Sequence, residues 1–167
     1  MAQKAWRFAV VVMSDKGSRG ERVDESGAFL RQFLREAGFT EAGYCLVPDR
    51  IEAIVAAVRE MVDEKGADLV VTSGGTGLAP SDVTPEAMNQ VFQREVPGIA
   101  EMLRAESLKK TPRAALSRGR AGLRGQSLII NLPGSLKAAR ENIAAVLPIL
   151  DHALEKIKGD PSDCGAR

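Results

Sequence analysis

The apolar residues of this chain fall into short blocks whose period changes along its length. Residues 6–13 (WRFAVVVM) are a continuous, β-branched apolar run bounded by polar positions, which predicts a strand buried on both faces. Residues 14–25 are polar and carry Gly17 and Gly20, so a loop is expected there. Phe29, Leu30, Phe33, Leu34 and Ala37 then recur at helical spacing, and Gly38 marks the stop of that helix. Residues 43–47 read as a second strand. Beyond Pro48, Ile51, Ile54, Val55, Val58, Met61 and Val62 trace one helical face that ends at Gly66. Residues 68–72 (DLVVT) give a third buried strand. The order strand, helix, strand, helix, strand, with continuous apolar strands, predicts a parallel sheet covered by helices on both faces, an α/β protein.

The second half is less regular. Residues 73–84 read as a long loop. Helices are expected over 85–94 and 99–108, broken at Pro97-Gly98, and 116–124 reads as irregular and glycine-rich. Residues 127–132 (SLIINL) are the clearest strand of this half. The turn through Asn131, Pro133, Gly134 and Ser135 leads into a last helix, with Leu136, Ala139, Ile143, Val146, Leu150, Ala153 and Ile157 on one seam. Pro148 lies inside that helix and should kink it, because it lacks a backbone donor. Gly159 ends it, and 160–167 is expected to be a flexible tail. No repeat or linker divides the chain, so 1–167 is expected to form one domain. The seam runs near period 3.5. With the apolar residues of 85–108 it offers more surface than one core of this size buries, which predicts a homo-oligomer.

Composition narrows the classes. A chain of 167 residues with 44% hydrophobic and 27% charged residues is neither disordered nor fibrous. Its 23 basic and 22 acidic residues leave a net charge of +1, which argues against a nucleic-acid coat protein. Cys45 and Cys164 are the only cysteines and form no CxxC, so neither a disulfide framework nor a structural zinc site is expected. Cys45 reads as a small strand hydrophobe. His152 is the single histidine, and a surface or interface position, not a catalytic one, is expected for it. No apolar run approaches about 18 residues and no apolar leader precedes the first strand, so a cytoplasmic protein without a membrane partner is expected.

The residues with chemical potential gather where strands should end. Ser73-Gly74-Gly75-Thr76-Gly77 leaves the third strand directly, and open parallel sheets bind ligands outside the carboxyl ends of their strands. Glycines there let backbone N–H groups approach phosphate oxygens. The run is neither a Walker A loop nor a dinucleotide fingerprint, and alone it reads equally well as a turn. Asp82 lies just before a helix start for which Thr84 is the expected cap and Pro85 the first residue, leaving Asp82 a free carboxylate beside a phosphate loop. Such carboxylates commonly hold Mg²⁺. Asp49-Arg50-Ile51-Glu52 has the layout of a capping box, so Asp49 is expected to cap a helix, with metal or substrate contact possible alongside. Ser14 and Asp15 end the first strand on the same edge, and Ser135 is a helix cap that doubles as an anion site. Arg118, Arg120 and Arg124 alternate with glycines and read as a phosphate clamp, a solvated loop or an RNA-binding tract. With only five Phe, one Tyr and one Trp in the chain and none interleaved there, the RNA reading lacks a stacking platform.

Residues 70–87 (VVTSGGTGLAPSDVTPEA) strongly resemble the signature of molybdenum cofactor biosynthesis proteins of the Mog/MoaB type, whose domain also occurs in the plant Cnx and gephyrin G-domains. Residues 12–17 (VMSDKG) with Asp24-Glu25-Ser26-Gly27, then Val47-Pro48-Asp49, and Leu116-Ser117-Arg118 leading to 128–134 (LIINLPG), extend the resemblance over nearly the whole chain. It implies a three-layer α/β/α fold of the molybdopterin-binding-domain type with a mostly parallel central sheet, assembled as a trimer. It implies transfer of an adenylyl group from MgATP to molybdopterin, with release of pyrophosphate. Asp82 and Asp49 match the family's essential acids and are the expected catalytic and metal-holding pair. Gly74, Gly75, Thr76, Gly77, Pro133, Gly134 and Ser135 are expected to meet phosphates, and Ser14, Asp15, Ser117 and Arg118 the substrate. A MoeA-type molybdate-inserting protein is the expected transfer partner. A catalytically weak molybdopterin-binding or scaffold protein is the alternative, and the presence of both acids favours the enzyme.

Overall fold

The computed structural model describes residues 5–162. Its centre is a six-stranded sheet built from β1 (Arg7–Met13), β2 (Thr40–Val47), β3 (Leu69–Ser73), β4 (Arg94–Glu95), β5 (Ala121–Arg124) and β6 (Ser127–Leu132), in the order β2-β1-β3-β6-β5-β4. The pairs β1–β2, β1–β3 and β3–β6 are parallel, and β5 pairs antiparallel with β6 and β4. β1, β3 and β6 are buried along almost their whole length, as continuous apolar runs require. Because β1, β3 and β6 run parallel, the loops that follow them all open on one edge of the sheet, and the strand order switches direction between β1 and β3.

Successive strand residues serve opposite layers. Phe8, Val10, Val12, Leu69, Val71, Leu128 and Ile130 pack under α2 (Glu25–Glu36), α5 (Pro97–Leu108) and α6 (Leu136–Ile157). Ala9, Val11, Val70 and Ile129 pack under α3 (Ile51–Arg59) and α4 (Thr84–Met88). The result is the expected three-layer α/β/α arrangement with a mostly parallel sheet.

Several local expectations are corrected. The stretch 14–25 contains a one-turn helix, α1 (Asp15–Ser18), because the Ser14 hydroxyl accepts the Gly17 N–H at 3.0 Å and caps it. The helix expected over 85–94 is only α4, since the chain must turn to bring Arg94 opposite Leu123 in the sheet. The stretch 116–124 is not irregular throughout: its end is β5, joined to β6 by a two-residue turn at Gly125-Gln126, with Gly125 at φ +55. α3 passes into a π-helical turn over Glu60–Glu64 before Gly66. Pro148 lies inside α6, as expected, and the helix continues to Ile157. His152 is exposed, and Cys45 is partly buried against the α3 layer. Of the expected tail, Asp160 and Ser162 are tied to Lys156, and 163–167, with Cys164, lie outside the described residues. No described helix is long and apolar enough to cross a membrane.

Candidate active site

The loop after β3 is suspended between its neighbours. Gly74 N–H donates to Leu132 O (3.1 Å) and Ser73 Oγ donates to Pro133 O (3.0 Å), tying it to the loop after β6. On its other side, Thr84 clamps it twice: Thr84 N–H donates to Gly75 O (3.1 Å) and Thr84 Oγ1 to Gly74 O (3.0 Å). Gly74 and Gly75 have φ of +107° and +64°, conformations that L side chains rarely adopt. Space forbids a side chain as well, since a Cβ would lie 2.4 Å from Met13 O at Gly74 and 2.3 Å from Thr84 Oγ1 at Gly75. Thr84 therefore fixes the loop instead of capping α4, whose start carries no side-chain cap.

Two carboxylates bracket this loop. A Cβ built on Gly75 would stand 3.4 Å from Asp49 Oδ1, and one on Gly77 would stand 2.7 Å from Asp82 Oδ2. Asp49 is not the cap of α3, which has none. Asp15 N–H donates to Asp49 Oδ2 (3.0 Å) and Asp49 N–H donates to Asp15 Oδ1 (2.9 Å), a reciprocal pair that ties the ends of β1 and β2 together. Asp82 is not wholly free either. Its Oδ2 accepts the Ala79 N–H (2.9 Å), which closes the loop without covering the carboxylate. Partial burial pushes the Asp49 carboxyl above its usual range. The Asp15 amide opposes that shift, while the negative charges of Asp15 and Asp82 add to it.

Between these groups lies a polar cavity of about 320 Å³, lined by Ser14, Gly74, Gly75, Asp49, Asp82 and Ser135 among others. Ser135 caps α6 through the Ala138 N–H (3.2 Å), as expected, and Gly134 O accepts the Ser26 hydroxyl at 2.9 Å. Two carboxylates face one cavity, and burial, together with the charges of Asp15 and Asp82, holds one of them above its ordinary range. Among the described residues no group of three or more His, Cys, Asp or Glu forms a ready-made metal cage. Mg²⁺ is usually held by one or two carboxylates together with substrate phosphates.

The other predicted residues divide. Thr76, Gly77, Pro133 and Ser117 face a second, mainly apolar cavity of about 280 Å³ on the far side of the loop, walled by Leu103 and Asn142 of α5 and α6. Asp15 reaches the site only through Asp49. Arg118 lines neither cavity. It donates from Nε to Gly77 O (2.8 Å), from a guanidinium nitrogen to Asp82 O (2.6 Å), and pairs with Glu86 at 2.5 Å. Arg120 bonds Pro85 O and Asn89 and pairs with Glu95, and Arg124 pairs with Asp63 at 2.7 Å. The arginine–glycine stretch is thus a set of braces between β5 and the segment around α4. Sequence reasoning missed Thr84's clamp and the whole second cavity. The one signal for the latter was Asn142, a buried amide beside the apolar seam of α6, which donates to Ser107 Oγ at 2.9 Å.

Comparison with known proteins agrees with this architecture. The family described as "Probable molybdopterin binding domain" matches residues 9–152. A molybdopterin adenylyltransferase from Helicobacter pylori is 43% identical over 155 residues, covering 92% of this chain and 88% of that protein. Another of the same name, from Pyrococcus furiosus, is 38% identical over 164 residues, covering 92% and 95%. The crystal structure of the molybdopterin biosynthesis enzyme MoaB from Thermus thermophilus superposes with a TM-score of 0.87 at 51% identity, covering 95% and 99%. With its fold matched closely and most of its length matched in sequence, this chain belongs to the molybdopterin-binding domain family.

Proposed function

We propose that this chain is a molybdopterin adenylyltransferase of molybdenum cofactor biosynthesis, using MgATP in the cytoplasm. The observation that carries the reading is the pair Asp49 and Asp82, held on either side of a glycine loop whose backbone has no room for side chains. An oxygen of molybdopterin's terminal phosphate attacks the α-phosphorus of ATP. A new P–O–P bond forms, the bond between the α-phosphorus and its bridging oxygen breaks, and pyrophosphate leaves with the electron pair. The attacking phosphate is already ionised at neutral pH, so no general base is needed, which fits a site without histidine. Positioning and charge neutralisation remain to be supplied. Loop N–H groups around Gly74–Gly77 hold phosphate oxygens, and Asp49 and Asp82 hold Mg²⁺. Bound Mg²⁺ would offset the phosphate charges and make the pyrophosphate a better leaving group. Ser135 offers a capped helix start to a further phosphate oxygen. The apolar cavity, with Asn131 and Asn142 in its walls, suits a flat, nitrogen-rich ring of a substrate. The active form is a homotrimer, and its product passes to a MoeA-type molybdate-inserting partner.

Incubation with molybdopterin, ATP and Mg²⁺ tests this. The expected result is equimolar adenylyl-molybdopterin and pyrophosphate, abolished by a chelator. Molybdopterin binding without turnover would contradict the reading and leave a binding protein.

A further inference from the structure

The polar cavity has an unbalanced lining. Four acids, Asp24, Glu25, Asp49 and Asp82, contribute to it, and one cationic side chain, Arg22. The arginines that brace the neighbouring loops are committed. Arg104 donates to Gly119 O at 2.8 Å, Arg118 and Arg120 brace the glycine loop and α4, and Arg19 pairs with Glu21 at 2.8 Å. Arg22, the one cation lining this cavity, makes no hydrogen bond, ion pair or ring contact among the described residues. Its backbone is nevertheless fixed from both sides. Gly20 N–H donates to Gly17 O (2.9 Å) and Glu21 N–H to Lys16 O (2.9 Å). Asp24 caps α2 through the Gly27 N–H (2.8 Å) and accepts the Tyr44 hydroxyl at 2.6 Å. An unpaired guanidinium is thus held at the mouth of an acidic cavity by a short loop anchored at each end.

Resting on the adenylyltransferase reading, we infer that Arg22 is a specificity-determining contact for the phosphates beyond the reacting one, the part of the nucleotide that leaves as pyrophosphate. The reasons are position and charge. Asp49, Asp82 and the glycine loop form the floor, where the α-phosphorus must lie if a metal held by both acids is to serve it. The outer phosphates then extend toward the mouth. There they add negative charge to an already acidic lining, and a planar guanidinium can take two phosphate oxygens at once. A nucleoside monophosphate has no group to reach Arg22, so this residue helps discriminate triphosphate from monophosphate.

The test is titration of Mg²⁺-pyrophosphate into the unaltered protein, Arg22→Ala, Arg22→Lys and Arg19→Ala, with KM for ATP measured alongside. Arg22→Ala is expected to weaken pyrophosphate and raise KM for ATP by roughly tenfold while leaving AMP affinity unchanged. Its affinity should also fall less steeply with added salt. Arg22→Lys should lie between, because an ammonium keeps the charge and loses the two-pronged contact. Arg19→Ala, outside the cavity, should match the unaltered protein. Arg22→Ala with pyrophosphate affinity and KM within twofold of the unaltered protein would overturn the inference, as would an equal loss of AMP affinity. Failure of the unaltered protein to turn over ATP would instead overturn the adenylyltransferase reading beneath it.

Discussion

At Asp49, partial burial and the charges of Asp15 and Asp82 oppose ionisation more than the Asp15 amide favours it. Its carboxyl therefore titrates above the ordinary aspartate value of about 3.9. A group raised on folding contributes its stability below the unfolded value and loses it as pH rises through the folded value. Asp49→Asn cannot ionise and keeps the shape and the acceptor oxygen for Asp15 N–H. Its stability relative to the unaltered protein should therefore improve between about pH 4 and neutrality. Urea melts at both pH values check this, and an identical difference at each would contradict it. The same residue shows what local pattern cannot tell. Asp49-Arg50-Ile51-Glu52 has the spacing of a cap, yet its carboxylate is taken by an amide 34 positions away in sequence. Asp82 was legible as a carboxylate beside the glycine loop because its neighbours carried that information. The partners of Arg118, two of them backbone carbonyls of that loop, were not.

At the level of elements, strands with both faces buried were readable and those at the margin were not. β1, β3 and β6 are unbroken apolar runs. β5 is Ala-Gly-Leu-Arg, in which Gly122 exists because a Cβ would come within 2.5 Å of the Phe92 ring, so the glycine that signals a loop is a packing requirement of a strand. The connection from β3 to α4 behaves as one unit with Thr84 as its lock. Thr84→Val preserves shape and leaves the Gly74 carbonyl without its buried donor. The expected cost is about 1–3 kcal/mol, seen as a lower Tm, with Thr84→Ser retaining most of the stability. Equal Tm for the Val and Ser variants would show that the hydrogen bond is not the lock.

Over the whole molecule, the sheet edge that gathers the loops after β1, β3 and β6 followed from strand order, and the polar cavity followed from it. The apolar cavity did not, because its walls come from α5, the turn at Pro112–Leu116, the glycine loop and α6, segments brought together only by the complete fold. Leu108, Leu116 and Ile149 remain 47%, 53% and 36% exposed. The seam of α6, expected from the sequence to exceed the core, is buried against the sheet through Ala139, Ile143, Val146 and Leu150, so the surface left for a partner copy is that of these exposed residues. Light scattering coupled to size exclusion at micromolar concentration should report three times the chain mass. A monomer would contradict the assembly.

In the proposed reaction Asp49 and Asp82 would hold Mg²⁺ on the phosphates of the nucleotide. The most direct measurement is the rate of adenylyl-molybdopterin formation against Mg²⁺ concentration for the unaltered protein and Asp82→Asn, which keeps the side-chain shape and an oxygen for the Ala79 N–H. The expected result is a loss on the order of 10²-fold or more in rate at saturating substrate, a higher Mg²⁺ requirement, unchanged molybdopterin binding and an unchanged thermal melt. Asp82→Asn turning over at near the unaltered rate with the same Mg²⁺ dependence would contradict it.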